Sequence, residues 1–314
     1  MNDRSPRPSL TLSIAAVERD TGLSKDTLRV WERRYGFPTP ERDGSGERAY
    51  PLDQVERLRL IKRLLDVGHR PGRVVGLPAD DLQQLADTAG SGAAPVSGPA
   101  QAADEAVIDD CLALIRQHDL IGLRTQLGRD LGRLGLPRFV QDRVVPLTRA
   151  IGDAWLRGHM QIFEEHACTE VLLTVVRGAL AALPAPEPLA GPRVLMSTLP
   201  GEPHALALHL AEAMLAVDGA ACIPLGPQTP VWDLVLAAEA YRCDVLLLAF
   251  SGISGPGPVV DGLTELRSKL PRRVEIWVGG NAPVLHRRPV DGVRAFEALH
   301  ELPAALSDWR SRQP

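Results

Sequence analysis

SIAAVERDTGLSKDTLRVWERRYGFPTPERDGSGERAYPLDQV, residues 13–55, is the stretch on which the architecture turns. It reads as a helix running to Thr21, a glycine-containing turn, and a second helix capped by Ser24. A helix that reads nucleic acid must pack one face and offer donors on the other. Leu28 and Trp31 are spaced to pack, while Lys25, Thr27, Arg29, Arg33 and Arg34 are available to phosphates and base edges. The DGSG tetrapeptide at 43–46 sits between short polar arms and predicts a β-hairpin wing ending in Arg48 and Tyr50. Helix, turn, helix, hairpin, helix is the order of a winged helix-turn-helix that binds double-stranded DNA.

Charge supports this assignment. Residues 1–75 hold 15 Lys/Arg against 11 Asp/Glu, whereas the remainder holds 20 against 28. Only the first segment is disposed to meet a polyanion. A chain of 314 residues suits two or three domains. No apolar run approaches the length of a membrane span, the first residues lack a signal-peptide core, and the four cysteines (Cys111, Cys168, Cys222, Cys243) lack CxxC spacing. The expectation is a cytoplasmic protein whose thiols are reduced core residues.

The head is expected to occupy residues 1–75. Residues 76–102, rich in Gly, Ala, Pro and Ser, read as a flexible linker. Over 103–186, four segments carry apolar residues at three- and four-residue spacing and predict a four-helix bundle. From 187 to 314 short apolar runs (RVLMSTL, CIPLG, DVLLLAFS, VEIWVGG) alternate with amphipathic stretches. That texture predicts an α/β domain, a parallel sheet wrapped by helices with a crevice at the carboxyl edge of its strands. There is no nucleophile motif, glycine-rich phosphate loop or HExxH, and no barrel pattern, so an enzyme is not expected.

The segment RVLMSTLPGEPHALALHL (193–210) places His204 in a loop leaving a strand, where it can reach out as a metal ligand, with Glu202 close enough to polarise its other ring nitrogen. Ser251, Gly252 and Ile253 follow the third strand, and Gly279 and Gly280 the fourth; residues this small let a large flat ligand approach the backbone. His159, His209 and His286 read as surface or core residues.

Two resemblances join these readings. Residues 10–75 resemble the DNA-binding domain of the MerR family, in the subgroup carrying LRxWERRYG. The resemblance implies a recognition helix in the major groove, a wing touching the DNA backbone through Arg48 and Tyr50, and a dimer or higher oligomer on inverted repeats. With a linker behind the head, oligomerisation would come from the C-terminal region. The pattern Glu202-x-His204, Ser251, Gly279-Gly280 is similar to the flavodoxin-like cobalamin-binding domain, a doubly wound parallel sheet. It implies His204 as the lower cobalt ligand, with Ser251, Gly279 and Gly280 lining the pocket for the nucleotide tail. Trp155, followed after nine intervening residues by Glu165-His166, resembles the CarH/LitR-type cobalamin photoreceptors, where such residues cover the upper face of adenosylcobalamin. The chain differs from these patterns at Ala207, where the histidine motif has Gly; at Leu156, where some light-sensing relatives carry a histidine; and at Phe163, a bulky residue just before the Glu-His pair. The resemblances imply a repressor whose assembly or DNA affinity follows adenosylcobalamin and light. The alternative keeps DNA binding and gives the sensor another ligand, another tetrapyrrole, a protein partner or none.

Overall fold

The computed structural model describes residues 10–66, 68–89, 99–184, 191–252 and 254–312. The chain divides into two compact units, one made of residues 1–96 and 152–161, the other of 97–151 and 162–314.

In the first unit the elements are β1 (Thr11–Ser13), α1 (Ile14–Thr21), α2 (Lys25–Tyr35), β2 (Glu41–Arg42), β3 (Arg48–Pro51), α3 (Leu52–Asp66), α4 (Pro71–Val74) and α5 (Ala79–Ala89). The expected Ser24 cap is present, and Ser13 caps α1 in the same way. Ser13 Oγ accepts from the Ala16 amide and Ser24 Oγ from the Thr27 amide, and Gly22 and Gly36 end α1 and α2 in the left-handed conformation. The wing turns on Asp43, whose carboxylate accepts from the amides of Ser45 and Glu47, each at 2.9 Å, and from Ser45 Oγ at 2.7 Å. β1, not anticipated from the sequence, pairs with β3 and extends the hairpin to a three-stranded antiparallel sheet in the order β1-β3-β2.

Two boundaries read from the sequence need correction. The segment assigned to the linker contains α5, and Leu82 and Ala86 are buried in the same core as Leu28, Trp31, Val55, Leu58, Ile61 and Leu64. Their i, i+4 spacing is a helix stripe that the Ala- and Gly-rich composition concealed. The rest of the linker reading falls largely on 90–98, outside the described residues. Residues 152–161, assigned to the helical region, cluster with the head.

The second unit opens with α6 (Pro99–Arg116), α7 (Leu120–Leu134), α8 (Leu136–Phe139), a π-helical turn (Val140–Val144), α9 (Val145–Leu156, whose last residues pass into the first unit) and α10 (Ile162–Ala181). The π turn has a covalent cause. Pro146 has no amide hydrogen for the Asp142 carbonyl, and Arg143 Nη1 donates to that oxygen at 2.7 Å instead. The buried Arg143 also reaches Asp104 at 2.8 Å and the buried Asp130 at 3.7 Å.

The α/β part follows: β4 (Arg193–Ser197), α11 (Leu206–Val217), β5 (Ala221–Gly226), α12 (Val231–Ala240), β6 (Val245–Phe250), α13 (Pro256–Lys269), β7 (Glu275–Gly280), α14 (Val284–Arg287), β8 (Val293–Ala295), a 3-10 turn (Leu299–Glu301) and α15 (Leu302–Ser311). All pairings are parallel, in the order β5-β4-β6-β7-β8. This is the doubly wound arrangement expected. Every residue of β6 is buried, as a strand covered on both faces requires. The chain winds one way from β4 to β5 and the other from β4 towards β6, so the loops leaving β4 and β6 diverge around a crevice at the topological switch point. α10 packs on α7 and on α11, which joins the helical part to the sheet within this unit.

Candidate functional site

On the head, α2 presents its polar face outward. Arg29, Arg33 and Arg34 are exposed. Arg29 is paired with Asp26 at 3.2 Å, and the Arg34 guanidinium lies 5.3 Å from the Tyr35 ring. Lys25 is partly exposed and lies 3.6 Å from Glu18. Thr27 is half-buried, with its hydroxyl 2.8 Å from Ser24 Oγ. Of the two wing residues, Tyr50 is placed otherwise than expected. Its side chain is fully buried and its hydroxyl donates to Glu32 Oε1 at 2.7 Å. Burial and that carboxylate both push the phenol pKa upward. Tyr50 faces Leu12 of β1 across the sheet and is a core residue, closed to DNA. Arg48 is half-buried and donates from Nε to Glu32 Oε2 at 3.0 Å. Glu32, which the sequence reading did not single out, therefore ties α2 to the wing.

In the second unit the PGEPH loop is shaped by its own residues. Pro200 and Gly201, the latter at φ 88°, occupy the centre of a turn closed by the Glu202 amide on the Leu199 carbonyl at 3.1 Å. Thr198, fully buried, accepts from the Gln228 amide at 2.8 Å and donates to the Glu202 carbonyl. The turn drives the Glu202 side chain inward, where it is 1% exposed.

Glu202 is an ion buried among donors. Oε1 accepts from His204 Nδ1 at 2.6 Å and from the His204 amide at 3.2 Å. Oε2 accepts from the Ser251 amide at 2.6 Å, Ser251 Oγ at 2.7 Å and Ser254 Oγ at 2.8 Å. Desolvation alone would raise its pKa, but the hydrogen bonds from His204, Ser251 and Ser254 prevail and hold it at about 2. A carboxylate so placed can only accept, so Nδ1 carries a proton, and in the neutral imidazole Nε2 is the nitrogen with the lone pair. The imidazole is half exposed. The hydrogen bond from Glu202 and its charge raise the ring's proton affinity, burial opposes this, and the charge of Glu165 adds to it. Ser254 was missed in the sequence because nothing in its spacing separates it from ordinary loop serines.

The structure thus brings Glu202, His204 and Ser251 together at the switch point. Gly279 and Gly280 end β7, in register with Ala249 and Phe250 of β6. Gly280 is there for the sheet, because at φ 115° a Cβ would overlap the Phe250 carbonyl oxygen. A Cβ on Gly279 would meet only the Phe296 carbonyl oxygen, at 3.9 Å, and one on Gly252 only the Asn281 carbonyl oxygen, at 4.0 Å. Ile253 lies outside the described residues. On α10, Glu165 accepts from Thr169 Oγ1 at 3.0 Å and lies 3.5 Å from the exposed His166. Trp155 belongs to the first unit, where the buried Arg63 guanidinium stands 5.0 Å from its ring. Leu156 is buried. Phe163 is 62% exposed, with its ring 5.8 Å from His118. Ala207 is half-buried in the first turn of α11.

Comparison with known proteins adds two kinds of likeness. Residues 12–77 match the MerR HTH family regulatory proteins. The HTH-type transcriptional repressor CarH of Myxococcus xanthus is 30% identical over 289 residues, 91% of this chain and 92% of that protein. The repressor CarA of the same organism is 28% identical over 319 residues, 97% and 99% of the two chains. Among solved structures, the monomethylamine corrinoid protein of Methanosarcina barkeri superposes with a TM-score of 0.53 at 16% identity, over 65% of this chain and 99% of that one, a likeness of fold.

Proposed function

The chain belongs to the family of the CarH repressor, as a DNA-binding regulator with a MerR-type head and not an enzyme, and from that premise we propose that its hold on DNA is set by adenosylcobalamin bound at His204 and by light. The observation that carries this reading is the Glu202–His204 pair at the switch point of the sheet, in which Nδ1 is engaged by Glu202 and Nε2 is left to a ligand. No three His, Cys, Asp or Glu side chains converge on one point among the described residues. His204 offers a single nitrogen, which suits a metal that brings its other ligands with it in a macrocycle. The small residues Gly252 and Gly279 leave the neighbouring strand ends open to a flat group.

When bound, adenosylcobalamin would be held through the His204 imidazole and would supply light-sensitive organocobalt chemistry. The protein's part is orientation. Glu202 fixes the His204 tautomer and ring plane, and Ser251 and Ser254 fix Glu202. Ser251, Gly279 and Gly280 would line the tail pocket. Glu165 and His166, together with Trp155, are the residues proposed for the upper face. On the head, Lys25, Thr27, Arg29, Arg33 and Arg34 would meet the major groove and Arg48 the backbone, with two copies of the chain on an inverted repeat. Control by the ligand requires that it bind unequally to the assemblies that hold and release DNA.

The test is optical. Protein reconstituted with adenosylcobalamin in the dark should carry a corrinoid absorbance through gel filtration, and illumination should change both that spectrum and the retention of operator DNA. His204→Ala should alter the bound spectrum or abolish retention of the pigment. A colourless wild-type protein that still binds DNA would overturn the sensor assignment and leave the regulator.

A further inference from the structure

The outward face of α2 has an unexpected centre. Counting 3.6 residues per turn from the buried Leu28 and Trp31, the side opposite the core is occupied by Asp26, Val30 and Arg33, with Arg29 on one flank and Arg34 on the other. The observed exposure agrees, for all five residues are exposed and Val30 is 43% exposed. Val30 is thus an apolar, β-branched side chain in the middle of an otherwise charged helix face. Its valine costs some helix propensity and lies outside the buried core of the head.

We propose that Val30 is a specificity-determining residue of the DNA-binding head, which reads the C5-methyl group of thymine in the major groove. This rests on the assignment of α2 as the groove-reading helix. Of the groups displayed in that groove, the thymine methyl is the apolar one, and it is recognised by apolar contact. A valine in a helix is held in one strongly preferred χ1 rotamer, so its two methyls are presented in a fixed direction and lose little freedom on contact. The flanking cations define its reach. Arg29, already oriented by Asp26 at 3.2 Å, and Arg33 would engage phosphates or guanine edges on either side, setting the helix close enough for a short side chain to touch a base. Asp26 serves the same selection negatively, since a carboxylate at the centre of the face disfavours the acceptor-rich edge of guanine at the step next to Val30.

The experiment begins with in vitro selection of operator sequences by the full-length wild-type protein, with Arg33→Ala as the control for groove contact. Each thymine of the selected site is then replaced singly by uracil, which removes only the methyl group. Wild-type protein should lose three- to tenfold in affinity at one thymine per half-site. Val30→Ser should bind thymine and uracil at that position equally and, in its own selection, show relaxed preference there. Both variants should melt with the wild type, because residues 30 and 33 are exposed. A wild-type protein indifferent to every uracil substitution, or a Val30→Ser protein that keeps the wild-type sensitivity, would overturn the assignment of Val30. Failure of the wild type to enrich any sequence, with Arg33→Ala indistinguishable from it, would overturn the groove-reading helix itself and the proposal with it.

Discussion

Gly280 and Gly178 show how differently one residue type can be constrained. At Gly280 a left-handed φ and the Phe250 carbonyl oxygen both exclude a Cβ. Gly178 lies within α10 with nothing near the place a Cβ would take. Gly280→Ala should therefore destabilise the protein by about 2 kcal/mol or more through backbone strain alone, whereas Gly178→Ala should stabilise it by about 1 kcal/mol. Urea unfolding of the two variants checks both signs. The sequence marked Gly280 as small but assigned that smallness to a ligand; the geometry assigns it to strand pairing, which no local pattern displays. The thiols were more legible. Burial pushes Cys111 and Cys243 up to about 11 and Cys168 and Cys222 up to about 12, so none is a thiolate near neutrality. Native protein at pH 8 should resist iodoacetamide, and denatured protein should take up four equivalents, as mass spectrometry would read directly.

Among the elements, α2 and the wing share a buried core and a polar tie through the Glu32 side chain. Glu32 accepts from Arg48 and from the buried Tyr50 hydroxyl, so its removal strands a buried phenol and frees a guanidinium. Glu32→Ala should cost about 1–3 kcal/mol, the usual penalty for a buried donor left without a partner. Tyr50→Phe, which removes the donor and keeps the ring, should cost about 1 kcal/mol. If the two variants melt together, the tie between helix and hairpin is not the buried hydrogen bond. The helix itself was fully legible, with its Ser24 cap, Gly36 stop and packing pair Leu28 and Trp31, because its signals are local. The direction of Tyr50 was not. A strand of four residues gives too short a period to show which face is inward, and the strand it pairs with, β1, begins 37 residues earlier in the chain. α5 was hidden for another reason, since alanines that suit a helix also suit a linker, and only the burial of Leu82 and Ala86 distinguishes them.

At the scale of the molecule, the order of the chain and the order of packing differ. Residues 152–161 follow the helices of the second unit in sequence and yet belong to the head by packing. Trp155 lies against Arg63 of α3, the Gln83 side chain of α5 donates to the Arg157 carbonyl, and a Cβ on Gly158 would stand 3.3 Å from the Arg63 guanidinium. Arg63 is buried, and desolvation lowers its pKa. Its charge is tolerable there because the ring face of Trp155 lies close by, an arrangement worth about 2 kcal/mol when desolvated. Sequence could not have revealed this, for Trp155 and Arg63 are 92 positions apart and each has an ordinary local explanation. The consequence is that the head's stability depends on a segment joined at both ends to the other unit. In the full chain, Trp155→Ala should lower the protection of the α3 amides by about 2 kcal/mol in native-state hydrogen exchange, through lost ring burial and an exposed cation, while amides of β6 keep theirs. Equal loss in α3 and β6 would mean that the substitution acts on the whole chain, and no loss in α3 would mean that the segment is not part of the head. A loss confined to α3 would make Trp155 a structural member of the DNA-binding unit, whatever else it touches.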